Sequence, residues 1–244
     1  LGGVLPEVNA KLEALGSSKR YKNMVGYTFG TGFGVGMIVN GELNRGDNSC
    51  VETFCLPHKK LDGVIVESGV SVNAVKRVYG ELTGNMEHGL EPKDIFDIAE
   101  GKAEGNQQAA IQSFNELGEM AGDGIIRALN IVDGMVVIGG GVVGAAKYIL
   151  PGIMQEMNRQ IGTCAGASFP CLQMEVFNLS DPESFEAFLK EKNKMVDVPF
   201  SDKQVPYACH KKIGIAVSSL GASKAIALGA YSFALAQLDL SNNA

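Results

Sequence analysis

Between positions 26 and 43 the chain reads GYTFGTGFGVGMIVNGEL, with glycines at positions 30, 32, 34, 36 and 41. No other stretch restricts the fold so tightly. MVGYTF predicts one strand, VGMIVNGEL after the TGFG turn predicts a second, and Asn40-Gly41 has the composition of a hairpin turn. A β-meander follows. Its first turn is either a plain tight connection or a grip on phosphate. Backbone N–H groups reach an anion at short range only where side chains are missing, and Thr31 adds a hydroxyl.

The rest of the chain alternates between strand and helix patterns. Pro6, Val8, Leu12 and Leu15 predict a helix that stops at Gly16. Val72, Val75, Val78, Tyr79 and Leu82 predict another, ended by Gly84. Pro92 opens a third, and Ile111, Phe114, Leu117, Ile125, Ile126 and Leu129 mark one apolar face of a long fourth. GMVVIGGGVVGAAKYIL predicts a short apolar strand, a glycine turn and a helix from about Ala145. CLQMEVFNL reads as a strand and DPESFEAFLKEK as a helix capped by Asp181 with Pro182 in its first turn. GIAVSSLGASKAIALGAYSFALAQL reads as a strand feeding a helix of small residues. Such alternation predicts an α/β protein. Residues 178–212 are more polar and hold three of the eight prolines, so they read as an inserted excursion.

A net charge of -6 argues against a nucleic-acid surface, since the longest basic runs are Lys59-Lys60 and Lys211-Lys212. No apolar run approaches the roughly 20 residues that cross a bilayer. A cytoplasmic protein without a membrane partner is expected. Five cysteines, an odd number without a regular framework, predict reduced thiols. Position 1 is Leu and a helix begins almost at once, which predicts that an upstream part of the gene product is missing.

A second glycine turn offers two chemistries. Gly139, Gly141 and Gly144 have the G-x-G-x-x-G spacing of a dinucleotide turn. That fingerprint wants an acidic residue at the end of the next strand, and positions 159–165 hold none. Alternatively, one nucleotide lies between the two separate turns. The hairpin then takes the terminal phosphates, while the Gly139–141 turn approaches the adenosine and inner phosphates, aided by the following helix N-terminus.

Taken in order, GYTFGTGFGVGMIVNGELNRG, VETF, VIVESGVS, VVIGGGVV and SSLGASKAIALGAYSFAL resemble the ROK family of the actin-like ATPase superfamily. Its members are sugar kinases or sugar-responsive repressors. The resemblance implies an α/β fold: the C-terminal lobe of an actin-like ATPase (ribonuclease H-like), a mixed sheet flanked by helices. Residues 1–24 would end the N-terminal lobe and its connection, and 25–244 would form the nucleotide- and sugar-binding lobe. It implies ATP and Mg2+ as cofactors, a hexose or hexose derivative as substrate, and a homodimer. Gly30, Thr31 and Gly32 would serve the phosphates, Gly139, Gly140 and Gly141 the nucleotide, and Glu52 and Glu67 the sugar hydroxyls. Carboxylates suit that last task because each oxygen accepts from a hydroxyl.

Two departures from the family pattern matter. Cys55 stands where the family has a His that binds sugar and helps hold a structural zinc, and the loop after it is shortened to CLPHKKLDGVI. The zinc is expected to be absent and the identity of the sugar is open. Cys50, Cys55 and His58 keep a C-x4-C-x2-H spacing without a fourth metal ligand, so buried or half-buried thiols are the simpler expectation. The family's Asp-x-Gly-Gly-Thr phosphate loop and its Asn-Asp pair, whose Asp is the general base, do not occur; Asp62-Gly63, Asp123-Gly124 and Asp133-Gly134 lack the following Gly-Thr. Both elements are expected upstream of Leu1. The expectation is a hexose kinase whose C-terminal part alone has at most residual activity. The alternative is a sugar-sensing regulator, with a helix-turn-helix upstream, or a silent sugar-binding relative.

Overall fold

The computed structural model describes residues 4–17, 19–190 and 193–242. Helix α1 (Val4–Ala14) buries Leu5, Val8 and Leu12. Leu15, expected on the same face, lies beyond the helix and is exposed, because the chain turns away at Gly16. Strands β1 (Met24–Phe29), β2 (Phe33–Val39) and β3 (Glu42–Asn44) form the antiparallel meander. The second expected strand is therefore two, divided at Asn40-Gly41, where φ is +54° and +88° as a primed hairpin turn requires.

Helix α2 (Val72–Thr83) starts where the Ser71 side chain accepts from the Ala74 N–H and stops at Gly84, in the left-handed region at φ +70°. Leu82 lies on its exposed side. Helix α3 (Pro92–Ala99) opens on its proline, and α4 (Gln107–Val132) buries Phe114, Leu117, Ile125, Ile126 and Leu129. Strand β4 (Met135–Gly139) passes through a 3-10 turn (Gly141–Ala145) into α5 (Ala146–Met157). A hairpin of β5 (Gln160–Gly162) and β6 (Ser168–Pro170), not predicted, leads to β7 (Glu175–Asn178).

Helix α6 (Pro182–Leu189) begins at Asp181, whose Oδ2 accepts from the Ser184 N–H at 2.7 Å. It ends at Leu189, short of the expected boundary; residues 191 and 192 lie outside the described residues. A second unpredicted ribbon, β8 (Asn193–Asp197) with β9 (Gln204–Ala208), precedes β10 (Lys212–Val217) and α7 (Ala222–Asn242).

The main sheet has the order β3-β2-β1-β4-β10-β7, antiparallel through β3, β2 and β1, and parallel from β1 to β7. Parallel strands covered on both faces carry apolar residues on both. Val136 and Ile138 of β4 join Phe114, Leu117 and Ile149 of α4 and α5 in one core. Met135 and Val137 join Leu5, Val8, Leu12 and Phe188 of α1 and α6 in the other. No helix among the described residues is long and apolar enough to cross a membrane.

Candidate functional site

β1 and β4 are parallel neighbours, with Thr28 opposite Gly139. Their carboxyl ends carry the two glycine turns side by side, at the sheet edge where open α/β folds bind ligands. A cleft of about 600 Å3 opens there. It is lined by Gly30, Thr31 and Gly32 of the β1–β2 turn, Gly140 and Gly141 beyond β4, Glu52 and Phe54 beyond β3, Glu67, and Ile226 of α7. Of the predicted site residues only Gly139 stays outside the lining; it is the last ladder residue of β4. The first turn after Gly140 is 3-10, so the α-helix proper starts at Ala146, slightly later than predicted.

At two glycines another group approaches closely, backbone at one and a side-chain tip at the other. Gly140 has φ +102°, and a Cβ on it would overlap the backbone N and O of Phe29. On Gly32 a Cβ would stand 2.5 Å from Glu67 Oε2. That carboxylate oxygen accepts from the Phe33 N–H at 2.9 Å, and the Val72 N–H donates to Gly30 O at 2.9 Å. The hairpin turn is thus tied at both ends to the segment that carries Glu67.

Glu52 and Glu67 flank a closed loop. Leu56 N–H donates to Thr53 O, Val66 N–H to Leu56 O and Glu67 N–H to Phe54 O, at 3.1, 2.7 and 3.3 Å. The loop tip is pinned to α4 and α5 by charge. Lys59 Nζ is 2.8 Å from Glu119 and 2.6 Å from Glu156, while Lys60 Nζ is 2.7 Å from Glu119. Arg159 bonds Asp123 at 3.2 Å and also pairs with Glu156; both carboxylates are buried. Burial alone would lower the Lys59 pKa, but its hydrogen bonds to Glu119 and Glu156 outweigh that and hold it above the ordinary lysine value.

His58 is buried at this tip, and its Nδ1 accepts from the Lys60 and Leu61 N–H groups, each at 3.1 Å. That assigns the ring proton to Nε2. Burial and the nearby Arg77 hold the ring's pKa below the ordinary value. Cys50 and Cys55 are exposed, not buried or half-buried as expected, because both lie on the solvent side of the loop. Among the described residues no group of three or more His, Cys, Asp or Glu is placed to hold a metal, the Cys50, Cys55, His58 set included.

The cleft's electrostatics are one-sided. Its described lining contains two carboxylates and no Lys, Arg or His. Among the described residues, neither Glu52 nor Glu67 Oε1 receives a hydrogen bond or a cationic partner. Sequence reasoning missed Phe54 and Ile226 as lining residues, and it read Lys59-Lys60 only as a short basic run.

The ROK family profile matches residues 6–177. The chain belongs to the ROK family. Its mixed sheet and flanking helices are the actin-like ATPase arrangement expected from the sequence. A glucokinase from Parabacteroides distasonis is similar to this ROK chain at 47% identity and a TM-score of 0.87, over 96% of this chain and 64% of its own. The chain therefore spans less than two thirds of that glucokinase. A ROK family glucokinase from Streptomyces griseus in complex with glucose and AMPPNP matches at 25% identity and TM-score 0.47, over 62% of this chain and 55% of its own. A ROK family transcriptional regulator, homologous to the E. coli MLC protein, matches at 18% and 0.47, over 61% and 41%. At such TM-scores these last two add nothing to the comparison. No curated protein matches. In this chain the G-x-G-x-x-G spacing falls at the turn after β4, in the middle of the sheet, whereas a dinucleotide fingerprint opens its domain.

Proposed function

We propose that this chain is the nucleotide- and sugar-binding part of an ATP-dependent hexose kinase. The observation that carries the reading is the meeting in one cleft of two glycine turns and two carboxylates, of which Glu52 and the Oε1 of Glu67 have no protein partner among the described residues. The turns suit a nucleotide: a Cβ on Gly30 or Gly141 would meet no atom within 4 Å, so the backbone there is open to the cleft. ATP would supply the transferable phosphoryl group, with Mg2+ supplying the positive charge that the described lining lacks. Gly30, Thr31 and Gly32 face the terminal phosphates, and Gly140 and Gly141 the inner ones. Glu52 and Glu67 Oε1 accept from sugar hydroxyls. Because Glu67 Oε2 is bonded to the Phe33 N–H, sugar and phosphates are held by one connected piece. Such positioning is the protein's main contribution to phosphoryl transfer. The proton acceptor for the attacking hydroxyl is not assigned among these residues.

The test is hexose-dependent ADP formation by the full-length gene product. Glu67→Gln and Glu52→Gln are expected to raise the hexose KM by about tenfold or more while leaving the ATP KM unchanged. No hexose-dependent turnover would overturn the kinase reading, and hexose binding without turnover would favour a sugar-binding relative.

A further inference from the structure

Three phenylalanines line the cleft. Phe29 and Phe33 are fully buried and serve the core, whereas Phe54 is 38% exposed. Its position is fixed rather than incidental. Thr53 beside it is buried, and the Phe54 carbonyl accepts the Glu67 N–H, so ring and carboxylate are carried on joined backbone. The described lining near it offers two carboxylates and no cation, which disfavours an occupant with uncompensated negative charge against the ring. An exposed ring next to unpartnered acceptors is suited to a molecule that is polar at its edge and apolar on its face.

A pyranose has that shape. Its hydroxyls point outward around the ring, and its axial C–H bonds gather on a face with slight positive charge, complementary to the negative face of an aromatic ring. We propose that Phe54 is the stacking platform of the sugar site, taking the C–H face of a pyranose while Glu52 and Glu67 take its hydroxyls. This rests on the hexose reading above and adds a specificity determinant to it. Carboxylates alone can hold any polyol by its hydroxyls. A flat platform adds a demand for a closed ring and fixes the plane in which that ring lies.

The experiment is calorimetric titration of the full-length protein with glucose, glucosamine and the acyclic polyol glucitol, on wild type and on Phe54→Tyr, Phe54→Leu and Phe54→Ala. Phe54→Leu and Phe54→Ala are expected to weaken glucose binding about tenfold or more and to narrow the preference for glucose over glucitol, with Phe54→Tyr staying near wild type. Leucine keeps apolar bulk without a π face, so the Tyr-against-Leu contrast separates stacking from packing and from misfolding. Equal rescue by Leu and Tyr would overturn the platform. So would a glucosamine preference that Phe54→Leu abolishes, which would make the ring a cation reader. If wild type binds no hexose, the sugar reading itself falls; if it binds glucose without turnover, only the kinase reading falls, and the Phe54 contrast still decides.

Discussion

Gly140 and Gly32 make different demands on their surroundings. At Gly140 a methyl group meets backbone at a positive φ, and neither can yield. Gly140→Ala is therefore expected to cost about 2–4 kcal/mol, read as a lower urea midpoint together with lost nucleotide binding. At Gly32 the obstacle is the tip of a side chain, Glu67 Oε2. Gly32→Ala should leave the urea midpoint nearly unchanged and displace the carboxylate from the Phe33 N–H, so that hexose affinity falls instead. His58 adds a pH dependence. Burial, with Arg77 and Lys60 and against Glu116 and Asp123, depresses its pKa, and an imidazolium could not accept the Lys60 and Leu61 N–H bonds. The neutral ring's contribution is complete above the unfolded value of about 6.5 and is lost as pH falls below it. Melting temperature should thus drop between about pH 7.5 and 5.5 in wild type, and His58→Gln should flatten that fall.

Among the elements, the loop after β3 is held by a network rather than by one bond. Removing Lys59 leaves buried Glu156 with Arg159 alone. Lys59→Met is expected to destabilise by about 1–3 kcal/mol in chemical denaturation, whereas removing the exposed Lys93–Asp97 pair should cost about 0.5 or less. That network also marks where sequence reading stops. The limits of α2 were legible because Ser71 and Gly84 act within a few residues of the ends they set. The partners of Lys59 lie 60 and 97 residues away, and nothing local announces them. The β5–β6 and β8–β9 ribbons were missed because neither has a buried face to impose alternation. Leu15 and Leu82 continued a helical spacing past the point where packing follows it. Gly140 was readable because steric necessity leaves one residue type there, whereas Gly30 and Gly141 have open space around a Cβ and were marked only by the clustering of glycines. Phe54 was not, since an exposed ring in a loop belongs to no periodic pattern.

Across the whole molecule, the sheet is well covered but α7 is not. Leu228 and Tyr231 are both more than half exposed on it. Contiguous apolar surface of that kind drives association. The 244-residue chain is expected to bind ANS and to elute earlier as its concentration rises, and Leu228→Glu with Tyr231→Glu should reduce both effects. The one-sided charge of the cleft acts over a longer range. The 244-residue chain carries a net charge of -6, and two of its carboxylates stand in the cleft with no described cation among the lining residues. A bare polyphosphate approaching this mouth is repelled, most strongly when the Debye length is long, about 30 Å at 0.01 M salt against about 8 Å at 0.15 M. A neutral polyol meets no such barrier at any ionic strength. If the cleft is the proposed binding site, its entrance would sort visitors by charge before any contact is made, and an anion would gain admission in proportion to how completely its counter-ion travels with it.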